Sequence, residues 1–339
     1  MKEKEVKVFN KNITSKDVAK LAGVSQSSVS RTFNSPDGRG VGEEIRKKVL
    51  KAADELGYKP NLIARGMISR KTNIVGLVVG HGLGPFYNRI INLFVEMLQE
   101  KGKHCLVFKI DRTDNIENII GKVIQFQVDG VIITASAINK NMAETIIENE
   151  IPLILFNRFI PGIDISMVYA DPVAGATKVA EYLCEKGHKN IGYIGYRETS
   201  EEVEKKVGFY SRLRKYGVFN VQEEYSEYDY EKGYDAAKRL LSKEDRPTAI
   251  FCTSDLIALG VVDAARETFK LKVPEDVAVI GYDDIEMASW ESYSLTTIRQ
   301  PIEYMVRETV EILNKKLENV DAKNEIKMIV PELVKRKTV

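Results

Sequence analysis

TSKDVAKLAGVSQSSVSRTF, residues 14–33, has the spacing of two short helices separated by a glycine. Thr14 is an N-cap residue for a first helix running to about Ala22. Gly23 follows, where a sharp turn needs the positive φ that glycine adopts at no steric cost. Ser25 caps a second helix that would expose Gln26, Ser27, Ser28 and Arg31. Val18, Leu21, Val24, Val29 and Phe33 supply apolar faces, and Ala19 and Ala22 are small enough to let the helices cross closely. The pattern predicts a helix-turn-helix whose second helix brings side chains to base edges in a DNA major groove. The competing reading is a helical hairpin inside a larger core.

Charge separates the two readings. Residues 1–71 carry 16 Lys and Arg against 8 Asp and Glu, whereas the remainder carries 34 against 41. A chain of net charge +1 has therefore gathered its positive charge into one small N-terminal unit. A nucleic-acid backbone is bound by such a footprint, because each neutralised phosphate releases condensed counterions.

The 339 residues suggest two to three domains, and a hydrophobic content of 44% is ample for a core. No apolar run approaches the ~20 residues of a membrane span, so no membrane association is expected. MKEKEVKVFNKN (1–12) is charged and lacks an apolar export segment; it is expected to be a disordered tail. Cys105, Cys184 and Cys252 are scattered, which suits a reduced, cytoplasmic setting better than a disulfide framework. GHGLG (80–84) lacks the spacing of a dinucleotide loop. Neither His104–Cys105 nor the Cys184/His188 pair has the further ligands a zinc site needs. No metal, no cofactor and no catalytic arrangement is expected, so the chain does not read as an enzyme.

A third helix is expected from about Glu43 to Leu56, with Ile45, Val49, Ala52, Ala53 and Leu56 on one face, closing a headpiece over 13–60. GYKPNLIARGMISRKT (57–72) follows. Pro60 stops the third helix, and Asn61 can cap a short one reaching about Ser69. At some nine residues it falls below the ~12–15 that an isolated helix needs in water, so it is helical only when held; a plain linker over 61–72 is the alternative. From Asn73 strands and helices alternate: NIVGLVVG (73–80), HCLVFKI (104–110), DGVIITA (129–135) and IPLILFN (151–157) are strands with helices between. A second such set starts after Asp171 and includes NIGYIGY (190–196), TAIFCT (248–253) and VAVIGY (277–282). This alternation builds doubly wound parallel sheets, here two lobes around a cleft. LTTIRQP (295–301) and a helix at 302–318 are expected to return to the first lobe.

DVAKLAGVSQSSVSRTFN (17–34), RKKVLKAADELGYKPNLIAR (46–65), GPFY (84–87) and DGVI (129–132) stand in a specific order along the chain. EKGHKNIGYIG (185–195), SDLIALG (254–260), VPEDVAVIGYDD (273–284) and SLTTIRQP (294–301) continue it. In that order and spacing the chain resembles the LacI/GalR family of bacterial transcription regulators from about Ile13 to Val334. The resemblance implies an α/β protein: a three-helix headpiece, a hinge helix and a two-lobed core like that of periplasmic binding proteins. By this reading the first lobe takes 73–163 and 298–325, and the second 164–297 and 326–339.

The resemblance also implies a homodimer, most often a repressor, bound to near-palindromic double-stranded operator DNA and controlled by a small effector, commonly a sugar or related catabolite. It assigns DNA contact to Thr14, Ser25, Gln26, Ser27, Ser28 and Arg31, with Gln26 and Ser27 selecting bases. It places the hinge residues Asn61, Ala64 and Met67 in the minor groove, Met67 standing where leucine usually wedges between base steps. For the effector it points to Phe86 and Tyr87 as an aromatic platform, with Arg158 and Asp283 as charged groups. Lys205 stands where arginine is usual, and Ser254 where asparagine is usual. Lysine is a point charge without a fork, so the ligand is either held differently or carries an anionic group. For each cleft residue the alternative is structural, a helix cap or a pair with a neighbour. Two other functions stay open: control by a phosphorylated carrier protein docked on the first lobe, and a transporter's solute-binding protein.

Overall fold

The computed structural model describes residues 13–34, 40–60, 71–80, 84–110, 116–134, 138–196, 200–319 and 321–339. They fall into two compact units, one up to Thr72 and one from Asn73. The tail 1–12, the segment 61–70 with Asn61, Ala64 and Met67, and residues 81–83 of the GHGLG run lie outside the described residues.

The first unit holds α1 (Ser15–Ala22), α2 (Gln26–Asn34) and α3 (Glu43–Leu56). Thr14 caps α1: its backbone N–H and its hydroxyl both donate to Asp17, at 2.9 and 2.7 Å. Gly23 ends the helix at φ 65°, and the chain turns directly into α2. Val18, Ala19, Val29, Val49, Ala52 and Ala53 form a small core, with Val24, Phe33, Leu56 and Tyr58 packed on it. Leu21 departs from the sequence expectation and is 48% exposed. At ~100° per residue, Val18, Ala19 and Ala22 share a stripe that leaves Leu21 on the opposite edge. Ile45, in the first turn of α3, is likewise 37% exposed.

In the second unit the first sheet comprises β1 (Ile74–Val79), β2 (His104–Lys109), β3 (Gly130–Ile133), β4 (Leu153–Phe156), β5 (Ser166–Ala170) and β11 (Ile326–Ile329). Its order is β11-β5-β4-β3-β1-β2, parallel throughout. The helices α4 (Pro85–Glu100), α5 (Ile116–Gln125) and α6 (Lys140–Glu148) belong to this lobe, joined by α11 (Ile302–Glu318), which packs on α4, β4 and β5. Along β1, Val75, Leu77 and Val79 enter one apolar cluster with Phe94 and Leu98, while Val78 enters another with Val123 and Ile133. Burial on both faces explains why β1 reads as a continuous apolar run.

The second sheet comprises β6 (Ile191–Tyr196), β7 (Val221–Ser226), β8 (Ala249–Cys252), β9 (Ala278–Asp283), β10 (Thr296–Arg299) and β12 (Glu332–Val334). Its order is β12-β10-β9-β8-β6-β7, with only the β10–β12 pair antiparallel. The helices α7 (Pro172–Glu185), α8 (Ser200–Lys215), α9 (Tyr230–Leu241) and α10 (Asp255–Asp263, continued by one π-helical turn to Thr268) cover it. Among the described residues no helix is long and apolar enough to cross a membrane.

This topology corrects the lobe boundaries expected from sequence. Residues 166–170 and 326–329 pair with each other in the first sheet, although both were assigned to the second lobe. Strand β10, part of which was given to the first lobe, lies in the second sheet beside β9. The chain thus changes sheet after β5, between β10 and α11, and between β11 and β12. Hydrogen bonds lace these crossings: the Asp171 N–H donates to the Ile329 carbonyl at 2.8 Å, and the Lys178 ammonium to the Pro331 carbonyl at 2.6 Å.

Candidate nucleic-acid interface and ligand cleft

In the first unit, the start of α2 is fixed by its own serines. The Ser25 hydroxyl accepts from the Ser28 N–H at 3.1 Å and shares hydrogen bonds with the hydroxyls of Ser27 and Ser28 at 2.8 and 2.9 Å. Gln26 donates to the Ser15 hydroxyl at 2.9 Å, tying the start of α2 to the start of α1. Gln26, Ser27 and Arg31 are exposed, Ser28 is half-buried, and Val29 beneath them is fully buried. The helix therefore presents amide, hydroxyl and guanidinium groups from a rigid seat. On α3, Lys47 and Lys48 pair with Glu43 and Glu44 one turn earlier.

The second unit brings the C-terminal ends of both sheets to one cleft. In each sheet the strand order reverses beside the first strand, between β1 and β3 and between β6 and β8, where open α/β sheets carry their ligands. From the first lobe come Tyr87, at the start of α4, and Arg158, just after β4. From the second come Tyr196, Glu201, Lys205, Tyr228 and Asp283. The lobes meet here: burial raises the Tyr87 pKa, with Glu201 and Asp283 of the facing lobe adding to the rise. A Cβ placed on Gly84 would lie 2.5 Å from the Tyr228 ring, so the loop before α4 sits directly on that tyrosine. The rings of Tyr196 and Tyr228 pack edge to face, 5.5 Å apart.

Asp283 is held in the left-handed region at φ 120°, and Asp284 follows at φ 53°. Such residues cost about 1–3 kcal/mol each and persist only where the surroundings fix them. Here Arg299 and Arg336 clamp Asp284, both at 2.6 Å. Gln300 donates to Asp283 at 2.9 Å, and the Tyr228 hydroxyl approaches its other oxygen at 3.4 Å. Burial pushes the Asp283 pKa well up; Lys205 opposes that shift, while Asp255 and Glu201 add to it.

The match to a family model for bacterial regulatory proteins of the lacI family covers residues 14–61, and a periplasmic binding protein-like domain model matches residues 180–339. The HTH-type transcriptional repressor PurR of Mannheimia succiniciproducens is 31% identical over 96% of this chain and 98% of its own length. The chain belongs to the lacI family. Among solved structures, the transcriptional regulator CelR in complex with cellobiose is 28% identical over 96% of this chain and all of that one, with a TM-score of 0.72. The lac repressor dimer bound to operator and the anti-inducer ONPF shares the fold at a TM-score of 0.86, with 24% identity over 97% of this chain and 99% of that one.

As a lacI-family member the protein is a ligand-responsive DNA-binding transcription regulator and not an enzyme. Measured against that family, the cleft brings together Tyr87, Arg158, Lys205 and Asp283, but two of the expected effector residues have other work. Phe86 is 4% exposed and packs in the lobe core beside Ile90, its ring edge-on to Tyr87. Ser254 is fully buried as the N-cap of α10, accepting from the Ile257 N–H at 3.3 Å. A serine before Asp-Leu-Ile is a plain cap signal, so the local sequence foretold that role. Glu201, Tyr196 and Tyr228 were not foreseen. Tyr196 ends the strand NIGYIGY, a usable signal; Tyr228 had none, because it lies in the turn after a polar edge strand.

Proposed function

We propose that this regulator is a cytoplasmic repressor acting as a homodimer on a near-palindromic operator, with a small neutral effector such as a sugar in the core cleft. The observation that carries the DNA-reading assignment is the seat of α2. Gln26 and Ser27 stand exposed on a helix whose first turn is locked by Ser25 and tied to α1. Thr14, Ser25, Ser28 and Arg31 serve as caps and backbone-side contacts around them, and Asn61, Ala64 and Met67 act in the hinge. The second lobe's Asp283, with Tyr87 and Arg158 facing it, is suited to hydroxyl-bearing ligands: a fixed carboxyl group accepts, a guanidinium donates, and rings stack. The relative whose structure was solved with cellobiose supports a carbohydrate; nucleosides and purines stay in the trial set beside it.

The DNA assignment is tested by selecting a preferred duplex from random sequence and titrating Gln26→Ala against it. We expect a loss of about 1–3 kcal/mol of discrimination at one base pair per half-site, with affinity for random duplex unchanged. Equal losses on both duplexes would remove Gln26 from base reading. The effector is sought by thermal unfolding of the full chain with sugars, polyols, nucleosides and purines. A ligand at 100 times its dissociation constant adds about 2.7 kcal/mol to the unit that binds it. A hit whose stabilisation survives Asp283→Asn would displace the proposed cleft.

A further inference from the structure

We infer that the cleft takes a ligand that offers hydrogen-bond donors and bears no acid group, and that Glu201 enforces this by engaging the charge of Lys205. The inference deepens the effector reading above and rests on it. Lys205 and Arg158 are cations whose charge reaches Tyr87 in the cleft. Lys205 is 2% exposed and fully committed. Its ammonium pairs with Glu201 at 2.8 Å, donates to the Thr253 carbonyl at 3.3 Å and stands 4.1 Å from the centre of the Tyr282 ring. An ammonium has three protons and no further donor. An arginine in its place would present five and keep some for a ligand; the lysine keeps none.

Apart from Arg158, the charge that remains has the same sign as an acid ligand. Glu201, Glu202 and Asp283 all act on Lys205, three carboxyl groups around one ammonium. Across the cleft, Arg158 lies in the fields of Glu201 and Glu204. A carboxylate or phosphate entering here must displace Glu201 from Lys205 and then sit beside Asp283. A hydroxyl or amine meets acceptors instead, Asp283 and the outer oxygen of Glu201, with the rings of Tyr87, Tyr196 and Tyr228 nearby. Glu201 is 27% exposed on its side chain, so it is not sealed in the lobe as Lys205 is.

The test is thermal unfolding of the full chain in inorganic phosphate and in gluconate, against potassium chloride at matched ionic strength, for the wild type and three variants. The wild-type core midpoint should be the same in all three salts. Glu201→Gln should gain a phosphate-dependent rise, and adding Lys205→Met to it should abolish that rise. A wild-type rise in phosphate or gluconate that Lys205→Met alone removes overturns the inference. So does a folded Glu201→Gln that ignores phosphate. Should Glu201→Gln fail to fold, the wild-type and Lys205→Met comparison decides alone, its flatness supporting the inference. A cleft that gains phosphate binding in Glu201→Gln, yet never responds to any neutral sugar, polyol, nucleoside or purine, would sink the small-effector reading and leave the role of Glu201 standing.

Discussion

Asp255 is fully buried, yet its carboxylate does no visible work in the cleft. It accepts from the Ile285 N–H at 2.8 Å and from the Thr297 hydroxyl, and so pins the turn that carries Asp283 and Asp284. Burial pushes its pKa up to about 7; the two hydrogen bonds oppose the rise and Asp284 adds to it. A carboxyl whose folded pKa lies above its unfolded one (about 3.9) binds its proton more tightly in the fold. Its contribution is therefore complete below about pH 4 and is lost as pH rises through 7. We expect the core's denaturant midpoint to fall across that window, and Asp255→Asn, whose amide can still serve both partners, to flatten the fall. Identical pH profiles for the two proteins would refute this assignment. The sequence marked Ser254 as an effector residue; only burial shows that it and its neighbour Asp255 serve the scaffold.

Among elements, the α9–α10 pair shows how a backbone contact reverses a propensity argument. Gly260 lies inside α10, where alanine would ordinarily stabilise a helix by about 1 kcal/mol. A Cβ there would overlap the Tyr230 carbonyl and stand 2.7 Å from the Tyr234 nitrogen, both backbone atoms of α9. Backbone cannot swing aside as a side-chain tip can, and overpacking typically costs about 1–3 kcal/mol. Gly260→Ala should therefore destabilise the core, read as a lowered urea midpoint, despite its better propensity. Neither α9 nor β7 was delineated from sequence. β7 reads VQEEYS and lies at a sheet edge with one face half-open, so it lacks the apolar run that gives away a buried strand. By contrast β1, β8 and β9, buried on both faces, announced themselves.

For the molecule as a whole, Gly84 of the first lobe and Tyr228 of the second are in direct contact. Gly84 has φ −82°, a conformation open to any residue, so space alone keeps it glycine. Tyr228 is in turn held by Tyr196 and Asp283. Gly84→Ala should hold the lobes apart and weaken effector binding roughly tenfold, about 1.4 kcal/mol, as read by calorimetric titration. Tyr228→Ala in the same chain should remove most of the additional loss, the non-additivity that marks a direct contact. Full additivity of the two changes would place the cost elsewhere.

The sequence by itself determined the headpiece, because cap, glycine turn and apolar stripe are local signals whose energies act within a few residues. It determined the α/β core for the same reason, through the period of its apolar runs. The tertiary structure decided which strand joins which sheet, as β11 and β10 show, because a crossover between lobes leaves no mark on the strand that follows it. It also decided what the charged residues of the cleft do. Lys205 reads identically whether it awaits a ligand or is spent on Glu201, Thr253 and Tyr282, and only the burial and distances of groups up to 77 residues away separate the two.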